Sequence, residues 1–508
     1  MMKRKAGILL PISSLPSRYG IGCFDEAAYK FVDWLQAAGQ HYWQILPLVP
    51  TSYGDSPYQS FSTFAGNPYF ISLDKLVEAG LLTEKEIKAV DMGKKADDID
   101  YAKLYKGRYK LLRKAYEKSH ISEKQDFQQY LADNGWWLED YALFMALKDR
   151  FEGKCWNEWP EDIRLRWGYS MDYYRKELYF DIEFQMFMQY LFARQWQELK
   201  AYANSKGVEI IGDIPIYVAM DSADTWSHPE LFQLNEKCEP LAVAGCPPDG
   251  FSATGQLWGN PLYNWDYHRS TSFDWWMSRL WYAFNMYDVL RIDHFRGFDE
   301  YYSIPYGAKD AVNGHWEKGP GIDLFKCMKY CLGDRRVIAE DLGFMTDSVR
   351  QLVKESGFPN MKVLEFAFDS RDTGSASDYL PHNYTENCVA YTGTHDNETI
   401  IGWFKSITKE EQDMAREYLC DDKSALKDLH WPMISMIMRS RANLCVIPMQ
   451  DYLGLGNEAR MNQPSTVGKN WKWRAARSQF SEELKERIRK TTRIYGRLNW
   501  QWDHKLDA

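Results

Sequence analysis

DVLRIDHFRGF, residues 288–298, decides how the rest of the chain is read. Val289, Leu290 and Ile292 form a short apolar lead-in of strand type, and a period of two puts Arg291 and Asp293 on one face. A guanidinium beside a carboxylate keeps the carboxylate ionised. Gly297 offers a sharp exit, so Arg291, Asp293, His294 and Arg296 gather at the strand's C-terminal mouth. Barrel enzymes keep their chemistry at that end. Taken alone, the stretch is equally consistent with a structural Arg–Asp pair.

The chain on either side repeats the pattern. GILLPISSLPS (7–17) reads as a strand ending in a polar loop, DEAAYKFVDWLQAAG (25–39) as an amphipathic helix closed by Gly39, and YWQILPLVP (42–50) as a second strand. VEIIGDIPIYV (208–218) is the third and carries Asp213; residues 288–298 are the fourth. RVIAEDLG (336–343) ends in Glu340 and Asp341, and MKVLEFAF (361–368) is the sixth. NCVAYTGTHDNET (387–399) runs from apolar residues into His395, Asp396, Asn397 and Glu398, and NLCVIPMQDYLG (443–454) is the eighth. Eight such strands, most separated by helix-like stretches, predict an α/β fold, a (β/α)8 TIM barrel with large insertions, with 1–508 as a single catalytic unit. Residues 51–205 are expected as an insertion subdomain after the second strand, returning through a helix over 183–206. Residues 219–285 form a second insertion, after the third strand, with a loop dense in Gly, Pro and aromatics.

Among the 508 residues, 45% are hydrophobic and 26% charged, as in ordinary globular chains. The 21 Trp, 33 Tyr and 25 Phe are an unusual number; many must line the core, and flat rings also suit stacking on sugars. A formal charge of −9 argues against a nucleic-acid partner, and no apolar run is long enough to cross a membrane. Nine scattered cysteines without metal-ligand spacing predict reduced thiols and a cytoplasmic setting; Cys327 and Cys331, four apart, belong on one helix.

Asp293, Glu340 and Asp396 sit at three strand ends and point into one bowl. Retaining glycoside chemistry needs a carboxylate nucleophile and a carboxylic acid about 5–5.5 Å apart, which neighbouring barrel strands supply. Arg291 favours the ionised form of Asp293, which leaves Glu340 as the proton donor. Three other readings stay open on the residues alone. DHF and THDNE resemble metal ligands only loosely, Glu340 or Asp341 suits a helix cap, and Asp213 suits either sugar binding or loop fixing.

RIDHFRGF, VIAEDLG, YTGTHDNET, GDSPYQSFSTFAGNPYF, FSATGQLWGNPLYNW and RMNQPSTVGKNWKWR together resemble the amylomaltases, the 4-α-glucanotransferases of glycoside hydrolase family 77 in the α-amylase clan. The resemblance runs from the first strand to about residue 475, with the blocks in the family's order. It implies transfer of α-1,4-glucan segments from a maltodextrin, or a starch or glycogen fragment, to another glucan or to glucose. No metal, organic cofactor, nucleic acid or membrane is implied, and oligomeric state is left open. By the same resemblance Asp293 is the nucleophile, Glu340 the general acid/base and Asp396 the third carboxylate. Arg291, His395 and Asp213 match positions that bind the sugar at the cleavage point, and Ser56, Tyr58, Gln256, Trp258 and Asn462 match groove residues. A transferase must exclude water, and the loop 245–260 is expected to overhang the groove. Gly250 and Ser465 depart from the family's pattern, a larger residue and Gly respectively being usual there, and with the first strand at the start of the sequence the added starch-binding modules of some plant relatives are not expected. A mainly hydrolytic α-glucanase and an inactive glucan-binding protein are the competing functions. Retention of all three acids argues against the second.

Overall fold

Short apolar runs extend where a neighbouring run can pair with them, and here eight of them close on one another. The computed structural model describes residues 4–500, apart from 53, 94, 249–251, 344, 371–375 and 422. Its strands are β1 (Lys5–Leu9), β2 (Tyr42–Gln44), β3 (Glu209–Ile214), β4 (Ala242–Cys246), β5 (Gln256–Pro261), β6 (Val289–Ile292), β7 (Glu300–Pro305), β8 (His315–Lys318), β9 (Val337–Ala339), β10 (Asn360–Val363), β11 (Cys388–Tyr391) and β12 (Leu444–Pro448). In the order β1, β2, β3, β6, β9, β10, β11, β12 the strands form a closed barrel, each parallel to the next, and β12 returns to β1 with Lys5 against Leu444. All eight expected barrel strands are present, so their C-terminal ends open on one mouth. Leu9, Tyr42, Ile211, Val289, Ile338, Met361, Val363, Val389, Tyr391 and Val446 fill the barrel.

The strands are shorter than the apolar runs that announce them. In YWQILPLVP the strand is Tyr42–Gln44, with one further bond from the Ile45 N–H to Ile211 O (2.9 Å); Pro47 and Pro50 beyond it have no N–H to give a ladder. After β6 the chain does not turn at Gly297, as expected, but at His294, whose φ is 52°; Phe295–Phe298 then form a 3-10 turn. The left-handed residue aims the chain away from the barrel immediately after Asp293. The stretch between β6 and β9 also departs from the helical expectation. It opens with the antiparallel hairpin β7–β8, which joins β4 and β5 of the second insertion in a four-stranded sheet of order β5-β4-β7-β8.

Helix Glu26–Ala37 matches its amphipathic sequence. Asp25 caps it by accepting the Ala27 N–H at 2.9 Å, Phe31, Val32 and Leu35 face the core, and Gly39 leaves with φ 70°. The longer helix Tyr179–Ser205, which starts four residues before the expected 183–206 return and ends one residue short of it, packs along helix Gln125–Arg150. Its buried Gln189 both accepts from Gly66 N–H (2.7 Å) and donates to Gly66 O (2.9 Å), and Gln195 accepts the Ser72 N–H at 2.6 Å. The loop 54–72, which carries Ser56 and Tyr58, is thereby moored to a rigid element. Most of the aromatic excess is structural: Trp43, Trp156, Trp196, Trp226 and Trp276 are fully buried. Cys327 and Cys331 share helix Ile322–Leu332, with Sγ atoms 3.9 Å apart. Among the described residues no helix is long and apolar enough to cross a membrane.

Candidate active site

Register places the acids before any side chain is considered. Ile292 of β6 pairs with Ala339 of β9, so Asp293 and Glu340, the next residues on each chain, stand side by side about one strand spacing (roughly 4.8 Å) apart. Asp213 of β3 pairs directly with Arg291 of β6. Asp396 follows β11, five residues past its last strand residue, Tyr391. The three acids expected at the fourth, fifth and seventh strand ends are therefore together at the barrel mouth.

Arg291 is the hub. Its Nη1 donates to Asp213 Oδ1 (2.9 Å) and Oδ2 (2.7 Å), and its Nη2 donates to Asp293 Oδ1 (2.9 Å). The guanidinium is buried, and a planar fork bonded to two carboxylates has little rotational freedom. Asp213 also accepts the Tyr58 hydroxyl at 2.7 Å, so it orders both the arginine and the groove loop. Glu340 is held by backbone: its Oε2 accepts the His294 N–H (2.6 Å) and its Oε1 the Leu342 N–H (2.8 Å). The strained turn at His294 thus serves to point an amide at the neighbouring acid. Asp341 does not join the site; it accepts from Met361 N–H (3.0 Å) and the Asn360 amide (3.2 Å) and so fastens β9 to β10.

A second group faces these acids. Asp396 Oδ1 accepts from Asn462 Nδ2 at 2.6 Å, and His395 Nε2 lies 3.3 Å from Asp396 Oδ2. The Tyr58 ring stacks on His395 with centroids 5.1 Å apart and planes 10° from parallel. Trp258 meets the His294 ring edge to face at 4.8 Å, and its indole N–H donates to Gln256 at 3.0 Å. Ser56 sits one step back, its Oγ accepting the Tyr58 N–H at 3.2 Å. The eleven residues to which the family resemblance gives catalytic or binding roles are therefore in or beside this groove, Ser56 through Tyr58, whereas Asp341 is not. Two were missed. Arg460 donates to Asp396 O (2.8 Å) and Asn462 O (2.8 Å), and Trp471 lies against both Tyr58 (5.8 Å) and His395 (5.9 Å). Trp471 lies within the quoted block RMNQPSTVGKNWKWR, and Arg460 immediately precedes Met461 in it as its first residue, so the signal for both was present. In that block Ser465 adopts φ 63°, keeping the left-handed turn that a glycine makes without strain. Gly250 and its neighbours 249 and 251, the tip of the expected overhanging loop, lie outside the described residues. Among the described residues no three His, Cys, Asp or Glu side chains are placed to share a metal ion.

The electrostatics separate the acids. Burial raises Glu340 to about 8, and the Asp293 charge adds to the rise. Burial also raises Asp293, to about 6, but Arg291 opposes it. The two titrate as a pair, with Glu340 the group that keeps its proton longer. Asp396 goes the other way: burial alone would raise it, yet His395 and Asn462 hold it well below the usual carboxylate range. Burial pulls His395 down and the Asp396 charge more than offsets this, leaving it raised. One acid that keeps its proton, one held by a guanidinium and one firmly ionised share a single groove.

A parallel barrel with such a cluster at its C-terminal mouth defines a barrel enzyme of acid–base chemistry. The sequence model of a family described as 4-alpha-glucanotransferase matches residues 10–479. The chain is 51% identical to a 4-alpha-glucanotransferase from Clostridium butyricum over 96% of this chain and 99% of that one. It is 44% identical to a 4-alpha-glucanotransferase from Thermus thermophilus over 98% of this chain and 100% of that one. The solved amylomaltase of Streptococcus agalactiae in complex with acarbose superposes with a TM-score of 0.94 at 42% identity, covering 98% of this chain and 100% of that one. The chain belongs to the 4-alpha-glucanotransferase family.

Proposed function

We propose that the groove transfers α-1,4-glucan segments by a double displacement in which Asp293, Glu340 and Asp396 carry the chemistry. Asp293 attacks the anomeric carbon of a bound glucan as the bond to the leaving O4 breaks, and Glu340 gives that oxygen its proton. The product is a glycosyl ester on Asp293 and an ionised Glu340. The 4-hydroxyl of an incoming glucan or of glucose then attacks the same carbon, its proton passes to Glu340, and the ester bond breaks to restore both acids. Asp396, with Asn462 and His395, holds ring hydroxyls of the distorted sugar. Tyr58, Trp258, Gln256 and Ser56 form the groove walls, and Arg291 with Asp213 sets the charge and position of the nucleophile.

The observation that carries this reading is the pairing of an arginine-bound Asp293 with a Glu340 whose proton is held to higher pH, on adjacent strands. A nucleophile and an acid with values pushed apart are what double displacement requires. Substrates are maltodextrins and starch or glycogen fragments, with glucose among the acceptors, and the cytoplasm is the setting. Residues 51–205 and 219–285 act as insertions that build the groove on the barrel. The roles are tested by supplying a maltotriosyl fluoride donor without acceptor, quenching, and locating the sugar by mass spectrometry of peptides. The ester belongs on the peptide containing Asp293; an ester on any other carboxylate overturns the assignment.

A further inference from the structure

Residues 392–400 join β11 to helix Ile400–Ser406 and present His395 and Asp396 to the groove. Asp451, just past β12 and only 1% exposed, holds both feet of this loop. Its Oδ2 accepts the Thr392 hydroxyl at 2.5 Å, and its Oδ1 accepts the Ile400 N–H at 2.8 Å. Thr392 is the first residue beyond β11 and Ile400 the first of the helix, so one carboxylate spans the loop's whole base. Between the feet, Asn462 N–H donates to His395 O (3.0 Å), Arg460 to Asp396 O (2.8 Å), and Thr399 N–H to Asn457 Oδ1 (3.3 Å). On the opposite flank, after β10, Glu365 closes the space: a Cβ on Gly393 would meet Glu365 Oε1 at 2.5 Å. The loop is clasped from one side and walled on the other.

We propose that Asp451 is a positioning residue for glucan transfer, its carboxylate tying Thr392 to Ile400 and so fixing where Asp396 and His395 stand. This rests on the reading of Asp396 as the carboxylate that holds the distorted sugar. Both donors to Asp451 are neutral, and burying a carboxylate against neutral donors is a costly way to stabilise a fold. What the arrangement supplies is shape. A carboxylate accepts from two donors at once, which a hydroxyl or an apolar side chain at this position does not reproduce. Misplacing a sugar-binding group by about 1 Å costs on the order of a hundredfold in rate.

The test is steady-state disproportionation of maltotriose by Asp451→Ala, Asp451→Asn and Thr392→Val, each checked for its melting transition. In folded Asp451→Ala, kcat falls on the order of a hundredfold while KM changes little. Asp451→Asn recovers most of the loss, because its amide oxygen still accepts from Ile400 and its NH2 can donate to the Thr392 hydroxyl. Thr392→Val frees one foot only and lowers kcat by roughly tenfold. A wild-type kcat in folded Asp451→Ala, or in Thr392→Val if the alanine variant does not fold, overturns the proposal. Full activity in Asp396→Ala instead overturns the functional reading beneath it, so the two failures are distinct.

Discussion

Replacing Arg291 by leucine removes the one group, among the described residues, bonded to both Asp213 and Asp293, and with it three charge-assisted hydrogen bonds of 2.7 to 2.9 Å. Two carboxylates are left inside the site without their cation, which costs about 3–5 kcal/mol of stability at neutral pH. The pH dependence has a definite sign. Asp293 already stands at about 6, raised by burial and lowered by Arg291, so losing the arginine moves it higher. A neighbouring cation is worth about 1–3 pKa units. A group whose folded value lies above its unfolded one opposes folding once pH exceeds the unfolded value, most fully above the folded one. The stability deficit of Arg291→Leu is therefore largest near neutrality and shrinks as pH falls through the raised Asp293 value.

Activity shifts in the same direction. For the native site the expected kcat/KM profile is a bell with its acidic limb at about 6 and its alkaline limb at about 8, the apparent values of the Asp293–Glu340 pair. Arg291 lowers both acids, so its loss carries both limbs upward. If Asp293 rises by about two units, only roughly a tenth of it is ionised at pH 7, a loss of about tenfold from ionisation alone. The assay is kcat/KM for maltotriose from about pH 5 to about pH 9, with thermal melts at the same pH values. A uniform drop in rate with both limbs unmoved would refute the electrostatic role and leave Arg291 only a direct contact to substrate.

Glu340→Gln removes the proton donor; its amide oxygen accepts from one of the His294 and Leu342 N–H groups and its NH2 faces the other, a cost of about 1–3 kcal/mol that a thermal melt reads, while maltotriose turnover collapses. With a glycosyl fluoride, whose leaving group needs no proton, the ester still forms rapidly; equal impairment with both donors removes Glu340 from the role. Asn462→Ala deletes the 2.6 Å hydrogen bond to Asp396, a loss of about 1.5–3 kcal/mol for a bond to a charged group, read as a drop in kcat of roughly ten- to a hundredfold. An unchanged kcat would show that Asn462 does not orient Asp396.

The barrel was legible because each of its strands is an apolar run followed by turn formers, a pattern that survives in the chain whatever the strand's final length. Length itself was not legible. Ile45, Leu46 and Leu48 are apolar because they are buried, although the ladder ends with the Ile45 N–H, and only the prolines hinted at this. The hairpin β7–β8 was hidden for a related reason. EYYSIP and HWEK show no clean alternation; they pair with each other, and EYYSIP also with β4, partners distant or brief enough to leave no local mark. Acids at strand ends declared themselves through position alone, whereas Asp451 acts through a hydroxyl and a backbone N–H at the two feet of another loop, and no spacing in one sequence encodes that contact. Which of the two acids keeps its proton was legible from Arg291 lying beside Asp293; the rise of Glu340 itself comes from burial beneath loops whose placement the sequence does not give, with the Asp293 charge adding to it.

The measurement that bears most directly on the central claim is a time course of products from maltotriose and the purified protein. Transfer predicts free glucose together with a ladder of maltodextrins longer than the substrate, growing while total reducing ends stay constant. Glucose and maltose alone, with reducing ends rising, would contradict it, because water rather than a sugar hydroxyl would then be resolving the intermediate.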